Sequence, residues 1–153
     1  MTQITIEQLR LIPTALRRTE HVERKGLGHP DTICDCVMEA VSVALSQAYI
    51  EASGRVLHYN IDKGLLVAGQ SAPQSGGGKI LKPMRLIFGD RATAEVNGRK
   101  IAVGEILESS ASKWLRDHLR FVEPAQHVVF QNEIQTGSPE LVDIFARPQL
   151  TAN

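Results

Sequence analysis

One long amphipathic segment constrains the fold of this chain more than any other feature. In PDTICDCVMEAVSVALSQAYIEASG, apolar residues recur every three or four positions and so form one stripe along a helix. The stripe consists of Ile33, Val37, Ala40, Val41, Ala44, Ala48 and Tyr49. Pro30 suits the first position of a helix and Gly54 suits its exit. The pattern therefore predicts a helix that runs from about Pro30 to Ser53.

Strands are predicted after this helix. RVLHYNI and LLVAG have strand composition, and Asp62, Lys63 and Gly64 between them have the signature of a hairpin turn. The next segment, QSAPQSGGGK, contains too much glycine for a regular element and is predicted to be a loop. MRLIFG then predicts a further short strand.

The last third of the chain predicts a hairpin, a helix and a strand. TAEVNGRKIAV is typical of a hairpin that turns at Asn97 and Gly98. Apolar residues from Gly104 to about Leu119 are spaced as in an amphipathic helix, and HVVFQNEIQ then predicts a strand. The predicted fold is α+β, a mostly antiparallel sheet packed by two amphipathic helices, rather than the parallel alternation of a Rossmann fold.

Composition bounds the class of protein. The chain has 153 residues, enough for one domain, and its 17 basic residues balance 17 acidic ones. This balance argues against nucleic acid or an anionic membrane as a partner. No uninterrupted apolar run reaches the roughly 20 residues of a membrane span, and the N-terminus lacks a signal-peptide pattern, so we expect a cytoplasmic protein. Cys34 and Cys36 are predicted to be small buried hydrophobes rather than a disulfide.

The segment just before the long helix, ERKGLGHPD, is unusually polar and flexible. A helix N-terminus carries unsatisfied N–H groups and a partial positive charge, and so it attracts anions. Arg24 and Lys25 bring cations to the same place. Gly26 and Gly28 would let the backbone approach a ligand closely or adopt a positive φ. The segment is therefore a candidate anion site.

His29 and Asp31 extend this hypothesis. His29 can donate a hydrogen bond to a developing oxyanion. Asp31 suits an anion site only if it caps the helix or holds a hard cation such as Mg²⁺. Together the groups suit a polyphosphate with its metal. The alternative is structural: an aspartate near a helix start is most often a cap, and a lone histidine most often has a structural role.

Five ordered motifs resemble one enzyme family. VERKGLGHPDTICD, HYNIDKGLLVAG, SGGGK, GDRAT and IQTGSPELVDIF occur in the order and at about the spacing seen in the S-adenosylmethionine synthetases (methionine adenosyltransferases), specifically their archaeal-type branch. The resemblance covers nearly the whole chain from about residue 10. Five ordered matches are far more specific than the GHPD tetrapeptide alone.

The resemblance implies a reaction and a set of site residues. In this family the sulfur of L-methionine attacks the 5′ carbon of ATP, the triphosphate leaves, and it is cleaved to phosphate and pyrophosphate. Mg²⁺ and K⁺ assist, and the site lies between two subunits of a dimer. The resemblance places His29 beside the leaving oxygen and Asp31 on Mg²⁺. Lys25 and Gly28 are the further candidates at this triphosphate site.

Later motifs imply further contacts. QTGSPE resembles an ATP-associated segment, with Gly137 and Ser138 matching it, whereas Gln135 and Thr136 depart from the family pattern. The alternative there is a plain strand-to-loop turn. The glycines at 76–78 do not form a P-loop, because Pro73 and Ile80 replace required residues. They are either an active-site loop or a mobile surface loop, and Asp62 and Lys63 are either ligands or plain hairpin residues.

Family members are roughly two and a half times longer than this chain and consist of three similarly built, interleaved domains. The resemblance therefore implies that residues 1–153 are an N-terminal portion of such an architecture. Most of the family's cationic triphosphate ligands fall outside this portion, and we expect the chain alone to be inactive. The alternatives are a non-catalytic module that binds nucleotide triphosphate and Mg²⁺, and a structural fragment that only self-associates. Self-association as a homo-oligomer is expected in each case.

Overall fold

A computed structural model describes residues 4–8 and 10–137. A short 3₁₀ helix at Thr14–Leu16 precedes the first long helix. Three helices and eight strands follow it in the described part of the chain. In order they are α1 (Pro30–Ser53), β1 (Tyr59–Val67), β2 (Gln70–Gln74), β3 (Gly77–Lys82), β4 (Met84–Ala92), β5 (Glu95–Val96), β6 (Arg99–Lys100), α2 (Val103–His118), α3 (Pro124–His127), β7 (Val128–Asn132) and β8 (Gln135–Thr136).

The predicted bounds of α1 are confirmed. Pro30 occupies its first turn, and Gly54 ends the helix with a φ of 76° while its N–H donates to the carbonyl of Ile50. This left-handed conformation is readily adopted by glycine and costly for other residues. The buried face of α1 consists of Ile33, Val37, Met38, Val41, Leu45 and Tyr49.

The main sheet has the spatial order β1-β4-β7, and β8 also pairs with β4. β1 and β4 are antiparallel, whereas β7 and β8 run parallel to β4. Two separate antiparallel hairpins, β2-β3 and β5-β6, complete the strands described. The predicted α+β class with mostly antiparallel pairing is confirmed.

The core lies between one face of this sheet and the two long helices. α1 packs against both β1 and α2. Leu86 and Phe88 of β4 are fully buried there, as are Leu107 and Leu115 of α2. In the described residues α1 is also the one helix with the length and apolarity to cross a membrane. Its buried stripe packs in the core as in a globular domain.

Asp62, Lys63 and Gly64 do not form the predicted turn. They lie within β1, which continues through them with a bulge between Asn60 and Lys63. A Cβ on Gly64 would lie 3.0 Å from Cγ of Met38, so its missing side chain lets β1 pass close to α1. The turn-like composition therefore reflects a bulge and a close strand–helix approach rather than a chain reversal.

The glycine-rich segment is not the predicted loop either. Residues 70–82 form the β2-β3 hairpin, which turns at Gly76 with a φ of 79°. Gly78 pairs with Pro73, and a Cβ on Gly78 would lie only 2.9 Å from the carbonyl oxygen of Ala72. Glycine is thus required by close packing within a regular hairpin. The predicted hairpin at Asn97 and Gly98 is confirmed, with φ values of 51° and 74°.

The face of the sheet opposite α1 is open in the described structure. Leu65 and Val129 on this face expose 58% and 48% of their surface. Arg85 lies opposite Val129 and donates a hydrogen bond to Oε1 of Gln131 at 3.3 Å. We call Leu65, Arg85, Ile87, Val129 and Gln131 the outer sheet face.

Candidate functional site

The start of α1 brings together the residues predicted from ERKGLGHPD. The N–H of His29 donates to the carbonyl of Gly26 at 3.0 Å, which closes a turn just before the helix. His29 then caps the helix: its Nδ1 accepts a hydrogen bond from the N–H of Asp31 at 3.1 Å. The alternative in which Asp31 is the cap is wrong, because Asp31 lies inside the first turn and its side chain points to Lys25.

The capping hydrogen bond determines the tautomer of the His29 imidazole. Because Nδ1 accepts the hydrogen bond from Asp31, the neutral ring carries its proton on Nε2. Nε2–H is therefore a donor at an exposed helix N-terminus. This is the group that a developing oxyanion requires, and His29 can stabilise negative charge there without a change of tautomer.

An ion pair joins Lys25 to Asp31. Nζ of Lys25 contacts Oδ2 of Asp31, and the two side chains expose 50% and 56% of their surface. The hydrogen bond and the charge of Lys25 hold the pKa of the Asp31 carboxyl below its ordinary value. The same pair raises the pKa of the Lys25 ammonium, and Asp35, one turn further along α1, adds to this. At neutral pH both groups are charged.

Gly26 and Gly28 leave open space before α1 and do not adopt an unusual backbone conformation. A Cβ on Gly26 or Gly28 would meet no atom within 4 Å, and neither glycine has a positive φ. Of the two alternatives for these glycines, the positive φ is therefore wrong. Their role is consistent with an open approach to the start of α1, where a ligand could contact backbone N–H groups.

Mg²⁺ binding at the start of α1 would depend on the Asp31 carboxylate. Asp31 offers hard carboxylate oxygens, and the Lys25 ammonium shows that a cation can sit on them. No group of three His, Cys, Asp or Glu side chains converges as a metal cage within residues 4–8 and 10–137. Asp31 would supply carboxylate oxygens to Mg²⁺, a hard cation that is commonly held at nucleotide sites by only one or two carboxylates.

The predicted ATP-associated segment lies elsewhere on the fold. Gln135 and Thr136 form β8, Gly137 behind them is buried, and Ser138 lies outside the described residues. Gln135 and Thr136 line a cavity of about 400 Å³ together with the first residues of α2, including Gly104 and Glu105. The two residues that depart from the family pattern therefore line this cavity.

The fold separates this cavity from His29 and Asp31. Thr136 pairs with Ala92, which pairs with Tyr59 of β1, and the hydroxyl of Tyr59 contacts the hydroxyl of Ser42 at 2.8 Å. At about 1.5 Å of rise per helical residue, Ser42 lies ~17 Å along α1 from Asp31. The candidate residues therefore form two groups at different places on the domain.

Sequence reasoning missed two features beside the β1 bulge. Asp62 forms an ion pair with Lys63 at 2.6 Å, and the hydrogen bond from Lys63 holds the pKa of the Asp62 carboxyl below its ordinary value. Asp90 has a φ of 97°, which a side-chain-bearing residue rarely adopts. The GDRAT motif gave no signal for this conformation, since it arises opposite the β1 bulge through strand pairing.

Comparison with known proteins identifies the family. A family model described as S-adenosylmethionine synthetase (AdoMet synthetase) matches residues 2–153. The chain is 42% identical to a probable S-adenosylmethionine synthase of Aquifex aeolicus, over 97% of this chain and 37% of that protein. It is 47% identical to an S-adenosylmethionine synthase of Methanospirillum hungatei, over 93% of this chain and 36% of that protein.

A third relative extends the same pattern. The S-adenosylmethionine synthase of Aeropyrum pernix is 46% identical over 84% of this chain and 32% of its own length. The chain therefore spans little more than a third of the length of these relatives. With a family model that matches almost every residue, the chain belongs to the S-adenosylmethionine synthetase family.

Proposed function

We propose that this chain supplies the triphosphate half of a methionine adenosyltransferase site, which forms S-adenosylmethionine from ATP and L-methionine. The observation that carries the proposal is the arrangement at the start of α1. There an imidazole donor, an ammonium group and an aspartate surround a helix N-terminus. Family membership makes ATP and L-methionine the expected substrates.

The chemical problem of this reaction is charge on the leaving group. When the C5′–O bond of ATP breaks, negative charge grows on the departing triphosphate oxygen. The Nε2–H of His29 and the N-terminus of α1 would donate to that oxygen or its neighbours, and Lys25 would add a full positive charge. Groups fixed before the reaction stabilise this charge without reorganising, and the cap on His29 fixes its ring.

In this proposal Asp31 is the residue that binds Mg²⁺. Its carboxylate would hold the ion, and the bound ion would neutralise part of the charge on the triphosphate. The expectation that K⁺ also assists comes from the family resemblance alone. Gly28 contributes open space beside the helix start.

We also propose that the complete enzyme has the three-domain, dimeric architecture that the resemblance implies. Two observations support this. The relatives are about three times as long as this chain, and the two groups of candidate residues are separated on this domain. A complete site would then combine the α1 group with residues from further domains or a second subunit.

A second candidate function is a non-catalytic module that binds triphosphate and Mg²⁺. The separation of Gln135–Gly137 from His29 favours it for this chain by itself. Turnover by the chain would exclude this second function, but we expect purified chain with ATP, L-methionine, Mg²⁺ and K⁺ to yield no S-adenosylmethionine by mass spectrometry. Product formation that His29→Ala abolishes would contradict that expectation.

Binding of inorganic tripolyphosphate with Mg²⁺ tests the proposed half-site. His29→Ser removes the imidazole while a serine still caps α1, so the helix should stay intact. We expect this variant to bind tripolyphosphate about tenfold more weakly by calorimetry, since a charge-assisted hydrogen bond is lost. His118→Ser, which changes an exposed histidine of α2, is the matched control and should bind as the unaltered chain does. Equal affinity in all three proteins would contradict the proposal.

A further inference from the structure

The carboxylate proposed to hold Mg²⁺ already holds a cation that belongs to the chain. Nζ of Lys25 contacts Oδ2 of Asp31 across six residues of sequence. In this place the ammonium is a stand-in for the metal ion. Lys25 is also one of the cations proposed to bind the triphosphate, so one side chain has two competing partners.

The ion pair is weak enough to be exchanged. Both side chains are half exposed, and exposed pairs contribute only about a two- to fivefold bias to an equilibrium. The ammonium and a divalent cation repel each other, so close binding of both to one carboxylate is unfavourable. A metal ion that takes Asp31 therefore displaces Lys25.

The segment between the two residues permits this movement. Gly26 and Gly28 lie between Lys25 and the helix, and the space around each is open. Asp31, in contrast, is fixed in the first turn of α1, where its N–H is bonded to His29. Lys25 can thus move while Asp31 stays in place.

We propose that Lys25 is an exchangeable cation of the triphosphate site. It neutralises Asp31 when no metal is bound, and it is released toward the triphosphate when a divalent cation takes Asp31. This inference rests on the proposed function. It couples the two ligands: Lys25 opposes binding of the free metal but favours binding of the metal together with triphosphate.

Lys25→Met tests the coupling because it should change the affinity for free metal and the affinity for tripolyphosphate in opposite directions. Mn²⁺ alone, which also prefers carboxylate oxygens, is titrated into the full chain and followed by electron paramagnetic resonance. We expect Lys25→Met to bind Mn²⁺ about two- to fivefold more tightly, because the competing ammonium is gone. The same variant should bind tripolyphosphate with Mg²⁺ about tenfold more weakly. A loss of folding would weaken both and cannot produce opposite signs.

Arg24→Gln is the matched control for net charge. Arg24 is adjacent to Lys25 but has no ion pair within the described part of the chain. If Arg24→Gln tightens Mn²⁺ binding as much as Lys25→Met, general charge explains the effect and the inference is overturned.

Asp31→Asn separates this inference from the proposed function. If this variant loses Mn²⁺ but Lys25→Met does not bind it more tightly than the unaltered chain, only the inference of exchange fails. If Asp31→Asn binds Mn²⁺ as the unaltered chain does, the metal assignment of the proposed function fails as well.

Discussion

The hydroxyl of Tyr49 joins α1 to the end of the main sheet. The Tyr49 side chain is fully buried and donates to the carbonyl of Thr93 at 2.9 Å. Burial raises the pKa of this phenol well above its usual range, so it remains a donor at all physiological pH values. Thr93 in turn donates through its N–H and its hydroxyl to the carbonyl of His58. One side chain thus orders three segments.

Tyr49→Phe should therefore destabilise the domain. The substitution leaves a buried carbonyl without its donor, and we expect the free energy of unfolding to fall by about 1–2 kcal/mol in urea denaturation. Tyr59→Phe is the matched control. The Tyr59 hydroxyl is only partly buried and contacts two serine hydroxyls, and water can replace these hydrogen bonds when the tyrosine hydroxyl is removed. Equal losses in the two variants would contradict this account of Tyr49.

At the residue scale, the sequence predicted which side chains gather at the start of α1. Lys25, His29 and Asp31 are close in sequence, so local helix chemistry was sufficient. The alternative in which Asp31 caps the helix was wrong, because aspartate is the commoner cap and only the backbone geometry shows that His29 fills the position. The positive φ of Asp90 could not be predicted from the sequence, because strand pairing across the β1 bulge imposes it.

At the element scale, Gly69 controls how β1 leads into the β2-β3 hairpin. A Cβ at Gly69 would lie 2.7 Å from the backbone nitrogen of Met84 and 2.8 Å from the backbone carbon of Pro83. Such distances are too short for non-bonded atoms, and backbone cannot rotate away as a side chain can. Glycine therefore occupies the position where the link before β2 passes closely over the link before β4.

Gly69→Ala should displace the hairpin or the start of β4. We expect the free energy of unfolding to fall by roughly 2–3 kcal/mol, since overpacking against backbone forces a shift of the chain. Gly77→Ala in β3 is the control: its Cβ would meet nothing within 4 Å, and its φ is not positive. The two denaturation midpoints give the comparison, and a Gly69→Ala protein as stable as Gly77→Ala would refute the packing argument.

The elements differ in how well sequence predicts them, and the reason is the range of the interactions. The approximate bounds of α1 were predicted well because periodicity, Pro30 and Gly54 are local signals. Asp62 to Gly64 was misread as a turn because the close approach of Met38 on α1 is a tertiary contact. The β2-β3 hairpin was missed because glycine content suggested a loop, whereas its cross-strand packing requires glycine.

At the scale of the whole molecule, the described part of the chain carries two separate groups of candidate residues and an uncovered sheet face with exposed apolar residues. His29 and Asp31 lie at the start of α1, and Gln135 and Thr136 lie beside the end of β4. The outer sheet face leaves Leu65 and Val129 exposed. These features agree with the proposal that the site is completed by other domains or a second subunit.

Motif order in the sequence indicated the family, but the separation of the two groups could not be predicted. Motifs report which residues a family uses and say nothing about the distance between them. That distance follows from strand order, because β8 joins the sheet beside Ala92 rather than beside α1. Long-range pairing of this kind has no local signature in the chain.

The measurement that most directly tests the central claim is a calorimetric titration of the purified chain with a non-hydrolysable ATP analogue, with and without Mg²⁺. Asp31→Asn is titrated in parallel, and circular dichroism confirms that both proteins are folded. We predict Mg²⁺-dependent binding by the unaltered chain that Asp31→Asn loses. A folded chain that shows no binding, or binding indifferent to Mg²⁺ and to Asp31→Asn, would contradict the claim that the start of α1 is a preformed triphosphate half-site.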